Sequence, residues 1–346
     1  MNQRQLGILF AASLTVLAVA VWVAHRAQRG SASIAGTTVL PGLGAQLNDV
    51  TQIRIRGAGG EQVTLVKGAR HWMVRERDYP ADSGKLRKLL IDLGNLKAMA
   101  RKTRLRSNYP LLGVQAISAA GASGVRIDVR SPEHTWSLIV GHTSGGSGVY
   151  VRAVGHRQSL LATPLVMAEA KPAHWLAPII VNVPQKQVRS VAERLAGERP
   201  YRIERAADTV ANFSVLGVPP GRKLTGPGAA DPVANALANL TLSDVRKAAP
   251  PPQGIRLSSA EFKTFDGLAL TVSGYRDGAH GPHYIEISAQ GTGTQAAAAA
   301  ARINARVKGW QYRLPGYSYQ QIFQKLSGLL QPLPRPHLAA RHKPAA

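Results

Sequence analysis

One uninterrupted apolar run, Leu6 to Ala24, divides this chain into a segment that suits a bilayer and a body that suits water. It carries no charge and spans about 30 Å at helical rise, the thickness of a hydrocarbon core. Trp22 lies near its exit, and His25, Arg26 and Arg29 follow where amphipathic and cationic groups suit the headgroup layer. The expected arrangement is an uncleaved N-terminal transmembrane helix within residues 1-30, followed by a folded body. Ala18, Val19 and Ala20 behind the apolar core also fit a signal-peptide cleavage pattern, which is the competing reading. Length favours the anchor, because the run continues through Val21 to Ala24, past an ordinary signal core. Arg4 precedes the run while Arg26 and Arg29 follow it, so flanking charge alone leaves the orientation open.

The rest of the chain is long enough for two domains with sizeable cores, and 45% hydrophobic residues argue for a folded body. Zero Cys excludes disulfides, metal-thiolate sites, a lipoprotein cysteine and thiol catalysis; it fits a bacterial envelope protein without requiring one. A balance of 43 Lys and Arg against 19 Asp and Glu gives a net charge of +24, which attracts polyanions and anionic surfaces. Nucleic acid, phospholipid headgroups, lipopolysaccharide phosphates and acidic glycans all qualify. The cations are spread along the whole chain, however, so a generally basic composition accounts for them equally.

The densest basic stretch is Lys85, Arg87, Lys88, Lys97, Arg101, Lys102, Arg104 and Arg106, opposed within it only by Asp92. These residues form the candidate polyanion contact. The first half of the stretch reads as an amphipathic helix: Asp82 or Ser83 can cap it, and Leu86, Leu89, Leu90, Leu93 and Leu96 make one buried stripe. Lys85, Lys88 and Asp92 then lie on the wet side, where a solvated helix face is the alternative to a binding site.

Short strand signals precede that helix at Gln52 to Arg56, Glu61 to Lys67 and His71 to Glu76, with glycines supplying the turns. Alternation of Ile53 and Ile55, then Val63 and Leu65, with polar neighbours predicts one buried and one wet face. Strands return near Val125 to Val129, Trp136 to Val140 and Val149 to Val154. A second unit echoes the order: strands at Tyr201 to Arg205 and Asn212 to Leu216, a helix around Pro232 to Leu240, then strands around Glu261 to Phe265, Leu268 to Gly274 and His283 to Ser288. The expected fold is therefore α+β, with two related antiparallel-sheet-plus-helix units at 45-178 and 184-331, an internal duplication. Gln295 to Val307 is expected to be helical, as is an apolar stripe of Tyr319, Ile322, Phe323, Leu326, Leu329 and Leu330. Residues 332-346 read as a disordered basic tail.

Several landmarks carry a resemblance: His71-Trp72-Met73-Val74, Tyr79-Pro80-Ala81-Asp82, the Leu-rich helix, Asn108-Tyr109-Pro110-Leu111-Leu112-Gly113, Leu138-Ile139-Val140-Gly141, Val149-Tyr150-Val151-Arg152, the Trp175 segment and Trp310-Gln311-Tyr312. Over most of residues 45 to 330 the chain resembles the bacterial family called domain of unknown function 4340. The resemblance implies an inner-membrane anchor with the body in the periplasm, and a role beside gliding-motility-type ABC transporters, which some members resemble as auxiliaries. It implies no catalytic residues. The second half departs from the pattern in lacking a Trp at the strand that should match Trp72.

No other motif names a reaction. Gly141 to Gly148 runs from strand into strand, which suits a hairpin tip better than a phosphate loop. His280 and His283 flank a Gly-Pro turn without a third ligand, so no metal or other cofactor is expected. Asp49, Asp82, Asp128 and Asp266 could supply acid and base only if the fold paired them. The absence of a catalytic motif and the family resemblance together imply a non-enzymatic function: an accessory or structural subunit of an ABC-type transport complex, on the bacterial inner membrane with its body in the periplasm. The alternative is a binder of anionic envelope glycan or lipid through the Lys85 to Arg106 surface. An envelope hydrolase ranks third, since it needs two carboxylates, or a Ser and a His, to converge in one pocket. Nucleic acid ranks last among partners.

Overall fold

The computed structural model describes residues 34–331 apart from 147 and 279. The expected anchor, Leu6 to Ala24, and the expected tail at 332-346 lie outside the described residues. Among the described residues no helix is long and apolar enough to cross a membrane. The chain is rich in antiparallel sheet, with some helices, and divides into two compact units, Met1–Ala177 and Pro178–Ala346.

In unit 1 the strands are β1 (Gln52–Gly57), β2 (Gln62–Lys67), β3 (Trp72–Val74), β4 (Tyr79–Pro80), β5 (Lys97–Arg101), β6 (Val125–Arg130), β7 (Thr135–Ser144), β8 (Gly148–Ala153) and β9 (Leu160–Thr163). They form one antiparallel sheet in the order β4-β3-β2-β1-β6-β7-β8-β9-β5. Period-two alternation buries Ile53, Ile55, Val63, Leu65, Ile127 and Val129 on one face. Helix α1 (Ser83–Gly94) buries Leu86, Leu89 and Leu93. Its N-cap is Asp82, whose carboxylate accepts hydrogen bonds from the Gly84 and Lys85 amides at 2.9 and 3.1 Å. The last residue, Gly94, lies against Gly44 so closely that a Cβ on Gly44 would meet the Gly94 carbonyl at 3.2 Å. A one-turn helix, α2 (Tyr109–Leu112), stops at Gly113, which takes the left-handed conformation with φ 68°.

Unit 2 contains β10 (Ile179–Val181), β11 (Val188–Arg194), β12 (Tyr201–Glu204), β13 (Ser214–Leu216), β14 (Leu240–Thr241), β15 (Asp244–Lys247), β16 (Ser258–Thr264), β17 (Leu268–Arg276), β18 (His283–Gly291) and β19 (Trp310–Leu314). β10 pairs with β14, and the other eight make an antiparallel sheet ordered β13-β12-β11-β16-β17-β18-β19-β15. Written in chain order, this threading matches that of unit 1 strand for strand, short of the edge strand β4. The first hairpins also correspond: Ile55 opposes Val63 and Glu193 opposes Tyr201 with the same sequence separation. Glu193 therefore occupies the ladder position that Ile55 fills in unit 1. It is fully buried, and neither carboxylate oxygen has a hydrogen-bond partner among the described residues. Burial raises its pKa to about 9.

Two helical expectations are corrected in unit 2. The helix expected around Pro232 to Leu240 is only the single turn α3 (Asp231–Ala234), after which the chain turns into β14. The last apolar stripe is two helices, α5 (Gly316–Ile322) and α6 (Leu326–Leu329), because Phe323 leaves the helical region at ψ 53° and the Tyr201 hydroxyl takes the Gln324 carbonyl at 2.6 Å. Between β18 and β19 lies α4 (Thr294–Val307), for which unit 1 has no counterpart among the described residues. Its Asn304 amide both accepts from the Ala289 N–H and donates to the Ala289 carbonyl, at 2.8 Å each. A side chain thus closes the part of β18 that β19 does not reach.

Candidate functional site

All eight residues of the candidate contact are exposed, yet they do not share one element. Lys85, Arg87 and Lys88 lie on α1, where Lys88 pairs with Asp92 at 2.8 Å and Lys85 donates to the His174 carbonyl at 2.8 Å. Lys97 and Arg101 belong to β5, an edge strand additional to those expected from the sequence. Lys102, Arg104 and Arg106 lead away from it; Lys102 sits 5.9 Å from the Tyr150 ring centroid, and Arg104 donates to Gln158 Oε1 at 3.0 Å. Of the eight, Arg106 lines a cavity.

That cavity, about 570 Å³, is built on the outer face of the unit 1 sheet by the segment that follows β5 and by the β8–β9 connection. The segment can lie flat because Gly124 and Gly141 have no side chains: a Cβ on Gly141 would overlap the Leu112 carbonyl oxygen, and one on Gly124 the Gly113 carbonyl oxygen. Tyr109, Val114 and Ile139 then make a small second core on this face. Beneath it lies Arg152, only 9% exposed. Its Nε donates to the Val114 carbonyl at 2.8 Å, its Nη1 donates to the His156 carbonyl at 3.0 Å, and its guanidinium carbon stands 4.7 Å from the Tyr109 ring centroid. The Tyr109 hydroxyl donates to the Arg157 carbonyl at 2.5 Å, which fixes the ring that Arg152 stacks on.

Arg106, Arg152 and Arg157 all line this space, His156 joins them, and no carboxylate does. Burial pulls the Arg152 pKa down, Tyr109 opposes this and the neighbouring Arg106 charge adds to it; a guanidinium nevertheless keeps its proton in proteins. Three cations therefore share the lining with no acidic partner in it. The Gln115 amide nitrogen donates to the Gly121 carbonyl at 3.1 Å, while its buried Oε1 has no partner among the described residues. Pro110, Ala116, Ala119 and Ala120 supply an apolar wall. Chemically the cavity offers fixed positive charge, one unused acceptor and a greasy side, which suits an anion with an adjoining apolar part.

Sequence reasoning missed two features here. Alternation in Val149-Tyr150-Val151-Arg152 puts Arg152 on a face that should be wet, and only the covering segment buries it. The second is a trough of about 200 Å³ on the same sheet, lined by Arg54 and Arg56 of β1 and Arg126 and Arg130 of β6. Their shared alternation with Ile53, Ile55, Ile127 and Val129 was the legible signal. At its centre Asp128 accepts from Ser137 Oγ at 2.6 Å, Arg126 Nε at 2.9 Å and Arg56 Nη2 at 2.7 Å. Burial pushes its pKa up, but these donors more than offset it and hold the carboxyl below its ordinary value.

Unit 2 has a larger cavity of about 670 Å³ that includes Arg189, Arg202, Lys263 and the acidic Glu204. Its buried arginine, Arg205, is saturated: it donates to the carbonyls of Val188, Asp208, Val210, Gln185 and Lys186, and stacks near Phe213 and Phe265. That arginine has no donor to spare for a ligand, so the smaller cavity of unit 1 is the better site.

The remaining motifs take structural roles. Asp82 caps α1, Asp266 accepts from the Thr264 hydroxyl, and Asp49 is exposed at the end of the helical turns Leu43–Asp49. Gly145 and Gly146 turn the β7–β8 hairpin with positive φ. Ser123 Oγ and His142 Nε2 do meet, at 2.9 Å, and His142 Nδ1 faces the Leu111 carbonyl at 3.4 Å. Both side chains are exposed and line none of the cavities described, so the contact ties the covering segment to β7 rather than forming a nucleophile in a pocket. Among the described residues no cluster of three or more His, Asp or Glu could hold a metal ion.

A family model described as a domain of unknown function (DUF4340) matches residues 72–257. No curated protein and no solved structure matches the chain.

Proposed function

We propose a binding function, from the premise that this chain belongs to the family of the domain of unknown function DUF4340. In this reading the protein is a non-enzymatic envelope component, tethered to the bacterial inner membrane by Leu6 to Ala24, with its body in the periplasm. It holds an anionic ligand in the unit 1 cavity and serves as an accessory subunit of an ABC-type transport complex. The observation that carries the binding half is Arg152, buried and rigidly held, beside Arg106 and Arg157 with no carboxylate in the lining. A buried cation is costly unless something neutralises it, and an anionic occupant would supply the counter-charge that the lining residues do not. The matching strand order of the two sheets supports an internal duplication in which unit 1 kept the open site.

The transport half rests on the family resemblance. It is tested by crosslinking and affinity purification of the full-length chain from its own membrane. Recovery of permease and ATPase subunits supports it; recovery of anionic lipid or glycan alone, released by salt, leaves a binder without a transporter. Replacing Arg106 and Arg157 by Ala should abolish ligand recovery in either case. Unchanged recovery from that variant refutes the cavity as the site.

A further inference from the structure

We infer that the occupant of the unit 1 cavity is the headgroup of an anionic phospholipid, taken from a bilayer surface on which the covering segment rests. This deepens the anion-binding reading and depends on it. The independent observation lies in the segment that supplies part of the cavity's lining. Arg106, Tyr109 and Pro110 line the cavity, while Leu105 and Leu111 from the same short segment are 64% and 76% exposed. Along a mixed helical path of six residues the two leucines lie about 10 Å apart.

Exposed leucines on a segment that also carries Arg104 and Arg106 combine the two forces that hold a peripheral protein to a membrane: apolar insertion and attraction to anionic lipid. A soluble anion or an acidic glycan would use the arginines but has no use for the leucines, which favours lipid over polymer. Inside, the phosphate would meet Arg106, Arg152 and Arg157, and the Gln115 Oε1 would accept from a headgroup hydroxyl. The alanine wall at Ala116, Ala119 and Ala120 suits the glycerol and first methylenes. Nine residues separate Ala24 from Ile34, so the proposed anchor would keep unit 1 within a tether of about 30 Å of the bilayer.

The chain has no Cys, so a single Leu111→Cys carries a polarity-sensitive fluorophore without background. The full-length protein is reconstituted in lipid discs of phosphatidylcholine with and without phosphatidylglycerol. Leu216→Cys, an exposed apolar position in unit 2, is the control. The expected result is a blue shift at the Leu111 probe, quenched by a lipid-borne quencher, in the anionic discs only. Adding Arg106→Ala and Arg157→Ala should weaken the response to phosphatidylglycerol about thirtyfold, at about fivefold per cation. Glycerol phosphate binding to the same protein in phosphatidylcholine discs separates the two levels. If glycerol phosphate binds in a manner lost with Arg106→Ala and Arg157→Ala while the Leu111 probe stays in water, the lipid inference is overturned and the anion cavity stands. If neither responds, both are overturned.

Discussion

Glu193 converts a fold-level irregularity into a measurable pH dependence. In the folded chain its carboxyl keeps its proton to about 9, against an ordinary 4.5. Below the ordinary value both folded and unfolded chains are protonated, and the residue exerts no pH-dependent effect. As pH rises above it, the unfolded chain releases a proton that the folded chain retains, so stability falls by up to about 1.4 kcal/mol per pH unit until the folded value is passed. At pH 7 the loss is about 3 kcal/mol. Glu193→Gln is neutral at every pH and should match the wild type near pH 4 while exceeding it by about 3 kcal/mol near pH 7. Glu193→Ile, the residue that unit 1 places at this ladder position, also removes the unbonded polar atoms and should stabilise by about 1 kcal/mol or more even in acid. Unit 2 contains a single tryptophan, Trp310, so fluorine NMR of fluorotryptophan-labelled protein during urea titration reads its unfolding separately. A difference between wild type and Glu193→Gln that stays constant from about pH 5 to about pH 8 refutes the buried-carboxyl argument.

Gly141→Ala should lift the covering segment off β7, since its Cβ has nowhere to go but the Leu112 carbonyl. The expected cost is about 3 kcal/mol with faster hydrogen exchange at residues 109–114, and unchanged exchange there would contradict the docking. Asp128→Asn leaves Arg56 and Arg126 facing one another without a counterion and should destabilise unit 1 by about 1 to 3 kcal/mol. Because the Asp128 pKa lies below its ordinary 3.8, that contribution is present above this value and disappears as pH falls through the folded pKa. The gap between wild type and variant in urea titrations should therefore close in acid. Leu89→Asp puts an unpaired charge under α1 at a cost of about 3 to 5 kcal/mol, whereas charge reversal at exposed Lys85, Arg87 and Lys88 should leave the unfolding midpoint nearly unchanged.

Local patterns were legible where they decide structure locally. The leucine spacing of α1, the Asp82 cap, and the alternation of Ile53 and Ile55 with arginines all translate directly into burial. What stayed hidden depends on pairing across sequence distance. Lys97–Arg101 has only Ala98 and Ala100 on its apolar face, too weak a pattern to read as a strand, and becomes β5 because Leu160–Thr163 comes back to pair with it. Arg152 illustrates the same point for the site: its own strand marks it as solvated, and only a segment some forty residues earlier, seated on glycines, buries it. Asn108 to Gly113 and Leu138 to Gly141 were recognisable as family landmarks, but that one docks on the other required the tertiary fold.

The correspondence between the two sheets shows where their outer faces differ. With Ile55 and Glu193 aligned through their hairpins, the ladders place Arg152 of β8, opposite Ile139, where β18 has Glu286, opposite Ser273. The same outer-face position thus carries a cation in unit 1 and an acid in unit 2. Glu286 is not left waiting: Gln311 donates to it at 2.8 Å, and Gln311 Oε1 in turn accepts from Arg246, which also donates to the Tyr275 hydroxyl at 2.8 Å and stacks 3.6 Å from the Tyr284 ring centroid. A bonded network of this kind stiffens its unit. Arg152 has carbonyls for two of its nitrogens and an aromatic face beneath it, but its neighbours in the cavity are cations rather than an acid. The two sheets thus carry different chemistry at the same outer-face position: a carboxylate tied to Gln311 and Arg246 in unit 2, and in unit 1 an arginine whose cavity lining holds cations and no acid.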